Sequence, residues 1–250
     1  MAKFEGIFDI EGTLKGMTFY RTNEGIRIRT KGGISKKRIM NDPAFARTRE
    51  NGAEFSHSAK MSKLLRNSVS TMVDNAKDSR TSSRLNRIMS RIKNLDTVHL
   101  RGERTVAEGF NNPLALQELR GFDFNKNATM DSILKNKFVF DATTGTLTLT
   151  DFNTGKQLLS PLGTTKIGLR IGASLVDFAV GNYTFVESPQ EVLQVSALTT
   201  TNTTLTLPSI PTGNGVLCFF FLIEFYQTIN GNDYPLLNKQ FNVLQLIAAV

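Results

Sequence analysis

A change of apolar period limits the folds open to this chain: one helix-patterned stretch lies between two stretches patterned for strands. From Met61 the apolar residues are Met61, Leu64, Leu65, Val69, Met72, Val73 and Ala76, which fall on one face of an α-helix. Asn41-Asp42-Pro43 opens this region with an N-cap carboxylate and a proline at the first helical position, where a missing N–H costs nothing. Asn51-Gly52 interrupts it. A glycine inside a helix costs about 1 kcal/mol against alanine, so a kink or break is expected there. A second helix is expected over Ser82–Leu95, returning antiparallel, with Leu85, Ile88, Met89, Ile92 and Leu95 inward and Arg80, Arg84, Arg87 and Arg91 largely outward. A short third piece, Pro113–Leu119, again has proline near its first position.

On either side the pattern has period two. Thr18–Arg21, a turn at Asn23-Glu24-Gly25 and Ile26–Arg29 read as a hairpin with Ile26 and Ile28 on one face and Arg27 and Arg29 on the other. Earlier apolar positions, Ile7, Ile10 and Leu14, are punctuated by glycines, and Lys31-Gly32-Gly33 is a flexible join. Beyond Gly121 come Lys137–Phe140, Thr146–Thr150, Lys166–Ile171, Tyr183–Val186, Val192–Val195 and Thr203–Leu207, then the apolar run Val216–Tyr226 and a last strand near Gln240–Ile247. Short strands at regular spacing with Gly, Asn and Pro turns argue for a sandwich, with Val216–Tyr226 and Val243–Ile247 central. The expectation is therefore an α+β protein. A small N-terminal β element and a basic helical hairpin occupy residues 1–120, and an antiparallel β-sandwich of about seven or eight strands occupies residues 121–250.

Three stretches carry a resemblance. Gly12-Thr13-Leu14-Lys15-Gly16-Met17-Thr18-Phe19-Tyr20 with Arg27-Ile28-Arg29-Thr30-Lys31-Gly32-Gly33, followed by Asp42-Pro43-Ala44-Phe45-Ala46-Arg47-Thr48-Arg49-Glu50-Asn51-Gly52, resemble the N-terminal part of uncharacterised proteins common in Bacteroidota. The likeness covers roughly residues 6–66 and is textural beyond. It implies a Gly-rich hairpin, a helical stretch and a β-rich C-terminal part. It implies no activity, and no residue role comes with it.

Charge is unevenly placed. Residues 1–109 hold 22 Lys and Arg against 12 Asp and Glu, and residues 110–250 hold 8 against 10. This points to an anionic partner for the first half, such as nucleic acid, another polyanion or an acidic protein face, or to a solvated basic surface. The candidate contacts are Lys36, Lys37, Arg38, Arg47, Arg49, Lys60, Lys63, Arg66, Arg80, Arg84, Arg87 and Arg91. Few aromatics interleave with them, and Phe45 and Phe55 read as core. If nucleic acid is the partner, backbone contact is thus expected rather than base reading.

Catalytic patterns are scarce. There is one cysteine, Cys218, in an apolar run, and two histidines, His57 and His99, without ligand spacing. No nucleophile elbow, phosphate loop or dinucleotide fingerprint occurs. Asp74 and Asp78 are four apart on a helix but share it with Lys77 and Arg80, as on a solvated face. The expectation is no enzyme, no metal, no cofactor and no small-molecule substrate. Glu5, Asp9 and Glu11 break any apolar signal core, and Val216–Ile223 is too short to span a bilayer. A free cysteine fits a reducing compartment, so the cytoplasm is the default, although signal-less release would leave no trace.

The leading functional expectation is a structural subunit that forms homo-oligomers through the strands within Phe4–Arg29, with Phe19, Tyr20, Ile26 and Ile28 as intersubunit candidates. A small sheet of this kind can add itself to another sheet. The alternative is a cytoplasmic nucleic-acid- or ribosome-associated protein using the basic helical face.

Overall fold

The computed structural model describes residues 10–30 and 33–250. Phe4 and Ile7, and Lys31 and Gly32 of the flexible join, lie outside the described residues. The chain divides into two compact units, Met1–Arg49 and Glu50–Val250.

In the first unit, β1 (Gly12–Leu14), β2 (Met17–Thr22) and β3 (Gly25–Thr30) form an antiparallel sheet in the order β1-β2-β3. Lys15 and Gly16 both take positive φ, the geometry of a tight hairpin turn. Thr22 Oγ1 donates to the Gly25 carbonyl at 2.8 Å and closes the second turn. A short helix, α1 (Lys36–Asn41), occupies what reads in the sequence as a basic knot, with Ser35 as its N-cap. Asp42 then caps a 3-10 turn, Pro43–Phe45, by accepting from Ala44 N at 3.0 Å.

Helix α2 (Ala46–Ser68) is continuous through Gly52, contrary to the expected interruption. It ends instead at Val69, whose φ of −124° leaves the helical region. The hydroxyl of the preceding buried Ser68 takes the Leu65 carbonyl at 2.9 Å, and Asn67-Ser68-Val69-Ser70-Thr71 is a run of weak helix formers. The apolar face carries on through α3 (Ser70–Val73), so Leu65, Val69, Met72, Val73 and Ala76 are buried despite the break. Helix α4 (Thr81–Asn94) buries Leu85, Met89 and Ile92 as the period requires. Two short helices follow, α5 (Val106–Gly109) and α6 (Leu114–Leu119).

The β region contains β4 (Phe122–Asp123), then a helical turn α7 (Met130–Ile133), β5 (Phe138–Asp141), β6 (Thr146–Phe152), β7 (Lys166–Asp177), β8 (Asn182–Glu187), β9 (Glu191–Gln194), β10 (Thr201–Thr206), β11 (Val216–Ile229), β12 (Asn232–Pro235) and β13 (Val243–Ala249). The large sheet runs β4-β13-β11-β7-β8, with β12 on β11 and β9 on β7; the small one runs β10-β6-β5. Every ladder is antiparallel. The region thus holds ten strands among the described residues rather than seven or eight. The two-residue β4 and the polar β12, in what reads as a turn, escape an apolar-period reading.

Strand β11 explains the layering. Phe219, Phe221, Ile223 and Phe225 meet Leu147 and Leu149 of β6, Leu205 of β10 and Ile167, Leu169 and Ile171 of β7 in one core. Cys218, Phe220 and Leu222 point the other way, into a second core with Leu65, Met72, Leu85, Met89 and Ile92 of the helices. The two sheets make a sandwich, and the helices cover the far face of the larger one. The expected division at residue 120 is therefore corrected: the helices from Glu50 onward share a core with the sheet and belong to the same unit.

Gly172 fits this packing because a Cβ there would come within 2.7 Å of Met72 Sδ. Gly52 is the opposite case, since a Cβ would meet nothing within 4 Å. Gly52→Ala is expected to stabilise the protein by about 0.5–1 kcal/mol in urea unfolding with an unchanged m-value. A loss of stability would mean that the helix needs its glycine.

Candidate functional site: the N-terminal sheet and the basic surface

The hairpin register pairs Phe19 with Ile28, Tyr20 with Arg27, and Leu14 with Met17. Because neighbouring strands share faces at paired positions, Leu14, Met17, Phe19, Ile26 and Ile28 lie together on one face. Tyr20, Arg27 and Arg29 lie on the other, with the Arg29 guanidinium 5.4 Å from the Tyr20 ring centre. No residue of the three strands is buried. Leu14 is 60% and Met17 42% exposed. All four intersubunit candidates, Phe19, Tyr20, Ile26 and Ile28, are thus brought into one sheet, three on its apolar face and Tyr20 on the reverse.

The twelve basic candidates do not form one equivalent set. Lys36, Lys37, Arg47, Lys60, Lys63, Arg80 and Arg87 are exposed. Arg38 and Arg91 are also exposed but meet Asp42 and Glu118, each at 3.1 Å. Arg66 is half-buried, its Nε without a hydrogen-bond partner. Two candidates serve the fold. Arg49 donates to the carbonyls of Ile39 and Asp42 at 2.8 and 3.0 Å. Arg84, expected outward, donates to the Asp123 and Phe124 carbonyls at 2.6 and 3.0 Å and to Asp78 at 2.6 Å, over the Phe122 ring. It supplies the protons that these carbonyls would otherwise find in water.

Asp78 is correspondingly no solvated carboxylate. Burial acts to raise its pKa, but the N–H groups of Lys126 and Arg80 and the Arg84 charge hold it below the usual range. Phe55, read as core, is 64% exposed on α2.

The sequence pattern missed a buried ionic cluster. Glu54, early in α2, meets Lys93 in the last turn of α4, as an antiparallel hairpin allows. The Glu54 carboxylate also accepts from Arg104 Nε and Nη2 at 2.7 and 2.9 Å and from Gly102 N at 2.8 Å. Arg104, with burial opposing it and Lys93 assisting, brings the carboxyl down to about 2. Next to it, Asp96 accepts from the N–H groups of Val98, His99 and Thr105 and meets His99 Nδ1 at 2.8 Å. Burial would raise Asp96, but these donors lower it. His57 Nε2 accepts from Val106 N at 2.9 Å. Both histidines and both carboxylates are thus spent on pinning residues 96–106 to the helices. A Glu and a Lys at interior positions of opposed helical faces were the available signal.

On the large sheet, Arg170 meets buried Glu224 at 2.8 Å, and Gln190 bridges Glu224 and Tyr226. A cavity of about 460 Å³ lies against Phe110, Phe178, Val176 and Val216. Its Asp177 carboxylate is occupied by the Ala179 and Val180 N–H groups. Cys218 is buried, and burial alone pushes its thiol up to about 12. Among the described residues, no group of three or more His, Cys, Asp and Glu could hold a metal ion. No helix there is long and apolar enough to cross a membrane.

Compared with protein-family models, curated proteins and solved structures, the chain matches none.

Two outcomes follow from the ionic cluster. Glu54→Gln leaves Lys93 buried without its counter-charge and is expected to cost about 3–5 kcal/mol in chemical unfolding. Burial, with Lys60 and Lys93 adding to it, holds His57 below 6.5. The folded state therefore prefers the neutral ring, and its contribution is complete above pH 6.5 and lost as the pH falls through the folded value. Thermal unfolding between about pH 7 and 5 should show this loss, and His57→Gln, which keeps an acceptor but cannot titrate, should flatten it.

Proposed function

We propose that this protein is a non-enzymatic structural subunit that self-associates through its N-terminal sheet into a higher-order particle or filament. One observation carries the reading: a sheet with Leu14, Met17, Phe19, Ile26 and Ile28 on one face buries none of its residues. A three-stranded sheet is at the margin of independent stability and gains most by packing or by adding strands. The two edge strands, β1 and β3, each have one neighbour and so offer backbone groups for further pairing. Glu54, Asp78, Asp96, His57 and His99 of the second unit are engaged in holding loops and helix ends, which supports a scaffold rather than a reaction site. The setting belongs to the reading as well: a lone, buried thiol at Cys218 suits the reducing cytoplasm.

A second reading, polyanion binding, is favoured by the exposed Lys36, Lys37, Lys60, Lys63, Arg80 and Arg87. It predicts backbone contact and steep salt dependence.

Light scattering across a concentration series separates the two. The wild type should gain mass with concentration, and Leu14→Asp/Ile28→Asp should stay at the mass of one chain with an unchanged melting temperature. Single-chain mass for both proteins would sink self-association. The second reading would then stand or fall on nucleic-acid affinity dropping by orders of magnitude between about 50 and 200 mM salt.

A further inference from the structure

Self-association through strands needs a receiving edge, and the second unit offers several. Strand β4 has two residues and β12 contains Pro235, so neither can support a long ladder. β5 is an edge of the small sheet, but it is preceded by Lys135 and Lys137. Lysines beside an edge repel a basic strand. β10, the opposite edge, carries no charge in Thr201–Thr206.

β8 differs. It is the terminal strand of the large sheet, six residues long, uncharged from Asn182 to Val186 and ending at Glu187. Tyr183 is 46% exposed. β9 continues the same edge and opens with exposed Glu191. From Ile171 to Asn238 the sequence holds no Lys or Arg, against Asp177, Glu187, Glu191, Glu224 and Asp233; Arg170 pairs with Glu187 at 3.7 Å and Glu224 at 2.8 Å, and Lys166 with Asp233 at 2.8 Å.

The donor side is complementary. Residues 1–49 hold eleven Lys and Arg against five Asp and Glu. The outer strand β3 matches β8 in length and carries Arg27 and Arg29. We propose that β3 of one copy pairs antiparallel with the β8 edge of a second copy, joining the N-terminal sheet of each chain to the large sheet of the next. The proposal rests on the self-association reading above and adds the acceptor to it. Aligned end to end, the strands set Arg27 beside Phe185 and Arg29 beside Tyr183, with Glu187 diagonal to Arg27. The aromatic rings thus receive the two guanidinium groups on one face, while Glu187 at the diagonal is shared with Arg170 and Arg27 with Glu24. Donor and acceptor are different surfaces, so the contact is head-to-tail and propagates into rings or filaments.

The test is covalent capture in the full-length protein. Thr30→Cys/Asn182→Cys is treated with a short bismaleimide at a concentration where light scattering detects assembly. A ladder of covalent multimers on a denaturing gel is expected. The ladder should weaken by about fivefold or more when Arg27→Glu/Arg29→Glu is added. Parallel proteins pair Thr30→Cys with Val139→Cys on β5 or Thr206→Cys on β10. Assembly with a ladder only from one of these, or a 30–182 cross-link confined to the single-chain mass, overturns β8 as the acceptor and leaves self-association standing. Absence of any assembly in the unsubstituted protein overturns both.

Discussion

A strand that is apolar on both faces must be covered twice, and β11 imposes that demand on this protein. Of its fourteen residues, nine are buried. Exposing Phe219, Phe220, Phe221, Leu222 and Ile223 would cost roughly 1.5–3 kcal/mol each, far more than a domain can spare. The small sheet answers one face and the helices the other, so neither layer is an independent addition. The β13 ladder shows the same pressure. It pairs Phe219 with Ala248 but Phe220 with Leu246, so that Ile247 is bulged out of register. Leu244 and Leu246 thereby stay on the helical side and Val243 on the sandwich side.

Where burial is periodic, the sequence could be read. The hairpin at Thr18–Arg29, the strands around Leu147, Leu169 and Phe221, and the α4 stripe Leu85-Met89-Ile92 follow from side-chain period alone. Polar groups bound to backbone could not be read this way. Nothing in the spacing of Arg84 distinguishes it from Arg87, one turn on, yet the first closes two carbonyls and the second is exposed. Glu54 and Lys93 fall on the inward faces of their helices, but their pairing shows only when the two helices are set side by side. The placement of the first unit's boundary was hidden for a related reason: shared cores are contacts between distant residues, which local patterning does not encode.

The candidate surfaces divide along the same line. Exposure of the N-terminal sheet is implicit in its thinness, because three short strands with two polar edges have little to bury. The basic set was legible as composition but not as a surface. Arg49 and Arg84 had to be removed from it once their hydrogen bonds were known, and Arg66 is half-withdrawn. What is left is broader and less focused than a recognition helix, which is one reason to weight assembly above nucleic acid.

Cys218 has a consequence for how this protein can be watched. The only thiol sits at the centre of the sheet, with its ionisation suppressed by burial, paired across to Ser174 and Ala249. Alkylation requires the thiolate and access to it, and both arrive only when the large sheet opens. The chain therefore carries its own clock for global opening. Its labelling half-time counts excursions of the core and is blind to fraying at the N-terminal strands, and cysteines engineered elsewhere can be read against a silent background.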